Sequence, residues 1–267
     1  MTDPPERDDA TRDVPVWRVG PPRPGADAAR HRVVTERVVD LALNGRTVVR
    51  ATVLPDRLED FAVGFLAAEG LVSDVASIHE VSVSPDATRI DVGADVDPDR
   101  LVAFRERLAI STGCGGGAAS TADALPRCAS AARFRADDLL DRMAEFADAS
   151  PLFRETGGVH AAAVTDGHTL DAFAEDLGRA SAVDKALGRC LRTGLALADR
   201  ALLTTGRASA DILAKAARVG LPVVVSRGAV TSRAIDLAAV ADVALAGFAR
   251  SRRMNVYTAP WRLGIET

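Results

Sequence analysis

The stretch Ala201–Gly247, ALLTTGRASADILAKAARVGLPVVVSRGAVTSRAIDLAAVADVALAG, decides the fold class. Short apolar runs, ALLTT, PVVVS and VALAG, alternate with the helix-like segments ASADILAKAARVG and TSRAIDLAAVA. Apolar strands separated by helices imply right-handed crossovers and a parallel sheet covered on both faces. In open sheets of this kind, ligands bind at the carboxyl ends of the strands, in the loops that lead to the helices. Those loops read TGRAS, SRGAVTS and GFARSRR, so Arg207, Arg227, Arg250, Arg252 and Arg253 collect along one edge. The guanidinium fork matches phosphate, and helix N-termini add backbone donors. Any one of these arginines is better explained by a carboxylate partner or by solvent. Three consecutive loops point instead to an anionic ligand, and a phosphate-rich nucleotide fits best.

Upstream, two apolar runs in ERVVDLALNGRTVVRATVL flank Asn44-Gly45, the dipeptide suited to a type I′ turn, and predict a β-hairpin. PDRLEDFAVGFLAAEG predicts a helix with Asp56 and Glu59 at capping-box spacing and Gly70 as its stop. SIHEVSVS and TRIDV read as short strands, and DPDRLVAFRERLAI as a helix. RADDLLDRMAEFADAS is a further helix, VHAAAV and TLDAFA are strands around the turn Asp166-Gly167, and AVDKALGRCLRTGLALAD has helical periodicity. The organisation is α/β: a proline-interrupted tail over residues 1–30, expected to be disordered, then a small N-terminal α+β domain over 31–110. A glycine-rich linker follows over 111–130, and a larger α/β domain over 131–267.

Hydrophobic residues make up 48% and charged residues 26%, an ordinary globular mixture. No apolar run is long enough to span a membrane. The acidic, proline-bearing N-terminus has neither the basic nor the apolar region of a signal peptide, so a cytoplasmic location is expected. A net charge of −4 disfavours general nucleic-acid binding. The three cysteines, Cys114, Cys128 and Cys190, have irregular spacing that argues against a disulfide framework.

Cys114 lies in STGCGGGA, where bare backbone N–H groups of Gly115, Gly116 and Gly117 can lower a thiol pKa and the chain can swing. A flexible linker with an incidental cysteine explains the loop equally well when taken alone. Cys190, among helical leucines, and Cys128 read as core residues. His160 in TGGVHAAAV raises the possibility of a zinc deaminase, which pairs HxE with PCxxC. Ala162 stands where the glutamate is needed and the chain has no PCxxC, so no metal site is expected. His160 then either lines a ligand pocket or is a satisfied core histidine. Glu175 and Asp176 could bind a guanine or ribose edge, or pair with Arg179. Asp184 and Lys185, adjacent on a helix, point in different directions.

Read in order, NGR, DFAVGFLAAEG, the glycine-flanked Cys114, FRETGGVHAAAV, EDLGR followed by AVDK, TGRAS, LPVVVSRGAVTS and GFARSRRMNVYT resemble the FdhD/NarQ family. The resemblance runs from about Glu36 to the C-terminus. It implies a cytidine-deaminase-like sandwich for the larger domain and a homodimer. It also implies a sulfurtransferase that takes persulfide sulfur from a cysteine desulfurase on Cys114. That sulfur would pass to the molybdenum bis(molybdopterin guanine dinucleotide) cofactor, bound as the substrate to be sulfurated, for a molybdenum-dependent formate dehydrogenase. The family's cofactor segment matches Phe248, Ala249, Arg250, Ser251, Arg252 and Arg253, with Arg179, Arg207 and Arg227 as further candidates. Two departures stand out: a single thiol replaces the CxxC pair of many members, and Ala180-Ser181 replace a histidine and an asparagine. The missing thiol keeps open an alternative, a cofactor-binding chaperone that transfers no sulfur.

Overall fold

The computed structural model describes residues 10–20, 23–107 and 125–266. The chain begins with an antiparallel ribbon of β1 (Thr11–Gly20) and β2 (Arg23–Val34). This corrects the expectation of a disordered tail for residues 11–20 and 23–30. Each strand of a two-stranded ribbon keeps one free edge where a missing N–H costs nothing, so a proline such as Pro15 fits. The ribbon's root is held by Val34, which packs against the cluster of Leu54, Leu152 and Val159.

A smaller unit follows. The strands β3 (Arg37–Leu43) and β4 (Arg46–Val53) form the expected hairpin, with Asn44 and Gly45 both left-handed at φ 50° and 77°. With β5 (Ile78–Val83) and β6 (Arg89–Ala94) they make a sheet in the order β4-β3-β6-β5. Helices α1 (Leu58–Ala68) and α2 (Pro98–Arg107) complete the unit, and Leu41, Phe61, Phe65, Ile90 and Phe104 are fully or almost fully buried in its core. Gly70, at φ 73°, lies just beyond α1 as expected. The capping box does not form. The N-cap of α1 is Arg57 in a left-handed conformation, Asp56 is drawn to Lys185, and Glu59 pairs with Arg192.

The larger unit opens with α3 (Ala136–Asp148) and a six-residue helix, α4 (Pro151–Thr156), that periodicity does not reveal. It continues through β7 (His160–Thr165), β8 (Leu170–Asp176), α5 (Arg179–Arg192), β9 (Ala201–Thr204), α6 (Ala210–Arg218), β10 (Val223–Ser226), α7 (Ser232–Ala241), β11 (Ala244–Arg250) and β12 (Arg253–Thr258). The expected helix over 182–199 thus begins earlier and ends sooner, because Gly194 turns the chain at φ 71°. The sheet order is β12-β11-β10-β9-β7-β8. The strands β9, β10 and β11 are parallel, as the alternation requires, and β7, β8 and β12 add antiparallel neighbours.

Alternation along each strand divides the sheet between two cores. Leu202, Val224 and Leu245 face the side covered by α5, α6 and α7, while Leu203, Val223, Val225 and Ala246 face α3. The architecture is therefore a mixed α/β sandwich with a four-stranded unit attached. The attachment is intimate: a Cβ on Gly64 of α1 would lie 1.8 Å from the Asp184 carbonyl oxygen of α5, and one on Gly188 would lie 1.8 Å from that of Asp60. Only glycine lets the two helix backbones approach so closely.

Candidate functional site

Beyond the carboxyl ends of β9 and β10, two loops extend the sheet pairing. Ala208 N–H donates to the Ala229 carbonyl and its carbonyl accepts from Thr231 N–H, and the Ser226 hydroxyl donates to the Gly206 carbonyl (2.7 Å) while accepting from Gly228 N–H (2.9 Å). Ser226 is thus committed to joining the loops, and Thr231 caps α7 by accepting from Ala234 N–H. These bonds fix the backbone beneath Arg207 and Arg227, whose side chains are exposed. Arg179, the first residue of α5, lies across the same loop: a Cβ on Gly206 would sit 2.7 Å from the Arg179 Cβ.

GFARSRR differs from expectation. It leads into no helix but turns back as a β-hairpin, with Ser251 and Arg252 left-handed at φ 51° and 57°. The reason is the period-2 pattern after it, in which Met254 and Val256 reach the core while Arg253 and Asn255 stay exposed. The hairpin still projects past the same edge, since Phe248 N–H donates to the Gly228 carbonyl. Phe248, Arg250, Ser251, Arg252 and Arg253 are exposed and Ala249 is buried. The Arg250 guanidinium lies 5.9 Å from the Phe248 ring centroid, and Arg252 is pulled away to Asp141 of α3 at 2.9 Å.

A cavity of about 390 Å³ opens beside these loops, lined among others by Phe153, Gly158, His160, Leu177, Thr205 and Arg227. His160, at the start of β7, is therefore a pocket residue. Its Nδ1 is 3.4 Å from the Thr205 hydroxyl. Desolvation and then the nearby Arg179 charge hold its pKa below the ordinary histidine value, so the imidazole is neutral at pH 7. Thr205 and Phe153 also line the cavity, although neither residue type by itself signals a site. Their sequence signal is membership of longer stretches: Thr205 opens TGRAS and Phe153 opens FRETGGVH.

The neighbouring acids do not line the site. Glu175 caps α4, accepting from Phe153 N–H (3.2 Å), Leu152 N–H and the Ser150 hydroxyl, as an acid at a helix N-terminus should. Asp176 is fully buried and binds Lys185 (2.7 Å). Asp184 instead meets Lys215 (2.9 Å), so the two adjacent residues of α5 do point apart. Ala180 is in the core, and Ser181 packs beside Gly178.

Cys114 lies outside the described residues. Cys128 is buried, with its thiol 3.8 Å from the Gly220 carbonyl. Cys190 is buried in the core, where burial pushes its pKa up to about 12. Neither is an available nucleophile. Among the described residues no three His, Cys, Asp or Glu side chains gather as a metal-binding group, and no helix is long and apolar enough to cross a membrane.

The chain is similar to known proteins over nearly its whole length. It is 32% identical over 242 residues to the sulfur carrier protein FdhD of Shouchella clausii, covering 88% of this chain and 91% of that one. It is 32% identical over 253 residues to the sulfur carrier protein FdhD of Methanothermobacter thermautotrophicus, covering 94% and 98%. The crystal structure of a candidate formate dehydrogenase accessory protein from Desulfotalea psychrophila superposes with a TM-score of 0.76 at 29% identity, over 95% of this chain and 99% of that one. The model of the FdhD/NarQ family matches residues 34–264, and the chain belongs to that family.

Proposed function

We propose that this protein is a sulfur carrier for the maturation of a molybdenum-dependent formate dehydrogenase. On this reading Cys114 receives sulfur from a cysteine desulfurase and delivers it to a molybdenum bis(molybdopterin guanine dinucleotide) cofactor held, as substrate, at the arginine edge. The observation that carries the reading is the convergence of Arg179, Arg207, Arg227 and the Phe248–Arg253 hairpin on one edge beside a cavity. Pyrophosphates suit exposed guanidinium groups and the N-termini of α6 and α7. Among the described residues neither Arg207 nor Arg227 has a carboxylate partner that would compete. The burial of Cys128 and Cys190 leaves the sulfur chemistry to Cys114. We read the six-stranded unit as deaminase-like on its two antiparallel strands followed by three parallel ones, with helices on both faces.

The first step balances without an oxidant. The Cys114 thiolate attacks the terminal sulfur of the desulfurase persulfide, an S–S bond forms on Cys114, the donor's S–S bond breaks, and the donor cysteine leaves as thiolate. With no second cysteine in the loop, the persulfide is not discharged internally as a disulfide, and the acceptor must remove the sulfur.

Intact-protein mass spectrometry after incubation with a cysteine desulfurase and L-cysteine tests the carrier role. The wild type is expected to gain one sulfur atom, reversibly on reduction, and Cys114→Ala to gain none. No gain beside an active desulfurase would leave the cofactor-chaperone reading in place.

A further inference from the structure

Lys185 belongs to no loop of the arginine edge, yet its contacts lead there. Its side chain is completely buried. It donates to the Leu54 carbonyl (3.1 Å), Asp56 (2.6 Å) and Asp176 (2.7 Å), a full set for an ammonium group. Asp176 in turn accepts from Leu54 N–H (3.2 Å) and, through its other oxygen, from Gly178 N–H (3.2 Å). Gly178 is the N-cap of α5 and Arg179 the first helical residue. Residue 178 is thus pinned from behind, and Arg179 is laid across Gly206. Asp176 is also the cross-strand neighbour of His160, so the clip and the cavity share a pair of strands.

We infer that Lys185, Asp176 and Asp56 form a positioning clip that uses the smaller unit to fix the N-terminus of α5 and present Arg179 to the anion bound at the sheet edge. These are positioning residues, since none touches the site itself. The smaller unit contributes Leu54 and Asp56, so it is part of the site's scaffold. The inference rests on the reading of the edge as an anion site, but its central measurement requires no ligand.

That measurement is the NMR titration of the His160 imidazole in the ligand-free full chain, with His160→Gln identifying the signal. Arg179→Gln removes the neighbouring cation and sets the scale: the midpoint rises. Asp56→Asn gives the decisive sign. Removal of a carboxylate by itself lowers a nearby histidine's midpoint, whereas release of Arg179 raises it. A rise is expected, and it should vanish in the Asp56→Asn/Arg179→Gln double variant relative to Arg179→Gln alone. An unchanged or lowered midpoint in Asp56→Asn, or a rise that persists undiminished in the double variant, overturns the inference. Asp56 keeps some solvent contact, and Lys185–Asp176 remains in that variant, so no buried charge is stranded. Guanosine diphosphate, titrated calorimetrically, separates the two readings. Wild-type protein that ignores it counts against the anion site and leaves the titration to judge the clip. Wild-type binding that weakens about 3- to 10-fold in Asp56→Asn supports both.

Discussion

Lys185 and Lys215 sit at the junction of the two units with side chains 0% and 2% exposed, whereas Arg207 and Arg227 stand exposed at the sheet edge. Lys215 meets Glu69 at 2.8 Å and Asp184 at 2.9 Å and lies 5.0 Å from the Phe65 ring centroid. Burial works against its charge, but Asp184, Glu69 and Asp211 together outweigh that and raise its pKa above the ordinary lysine value. They are the only lysines in the chain, both consumed by internal carboxylates. Arg207 and Arg227 sit on backbone stiffened by loop-to-loop bonds and are exposed. Charge at the junction specifies how the units fit, and on the proposed reading charge at the edge serves a ligand.

The sharpest way to break that contrast is Lys215→Met. It takes the cation from buried Asp184 while Glu69 keeps Arg218 at 3.6 Å; an uncompensated buried charge costs about 3–5 kcal/mol, and the thermal midpoint should fall by on the order of 10 °C. A loss below about 1 kcal/mol, the range of surface pairs, would place Lys215 in the same class as an exposed charge. Arg227→Ala should do the reverse. Stability should change by less than about 0.5 kcal/mol, while guanosine diphosphate affinity drops about tenfold with the loss of a charge-assisted contact. Calorimetry and thermal unfolding on the same samples read both numbers. An Arg227→Ala protein that binds normally but melts early would reverse the assignment.

How much of this could be read beforehand depended on how local the cause was. The parallel core was legible because ALLT, VVVS and the intervening helices each declare their burial within a few residues. Asn44-Gly45 announced its turn because those residue types accept positive φ, whereas Ser251-Arg252 makes a comparable turn with no such signal. The edge arginines were legible as a set, since topology alone brings loop ends together. Partners distant in sequence were not. Asp56 has capping-box spacing, but Lys185, 129 positions away, claims it. Asp176 looks like a partner for Arg179 and is taken by the same lysine. Glu175 caps α4, a helix too short to show a period. Cys114, the residue on which the sequence speaks most directly about chemistry, lies outside the described residues, so its role rests on the loop sequence and on family membership.

His160 lies between the two kinds of charge and gives the finest test. Its imidazole faces Thr205, shares the cavity with Arg227, and is disfavoured as a cation by desolvation and by Arg179. Its folded pKa is depressed, so on acidification the unfolded chain takes up a proton near the ordinary value of about 6.5 before the folded chain does. The stability contributed by neutral His160 is therefore present above that value and is lost as pH falls through the folded pKa. His160→Gln should flatten the stability profile slightly between about pH 7 and 5 relative to wild type. If phosphate binds at the edge as proposed, it offsets the Arg179 charge, raises the His160 pKa and makes binding take up protons. Guanosine diphosphate should then bind more tightly as pH falls through that window, and His160→Gln should remove the increment. If the wild-type affinity is flat with pH while binding is otherwise normal, the anion does not sit close enough to His160 to offset Arg179, and the cavity belongs to another part of the ligand.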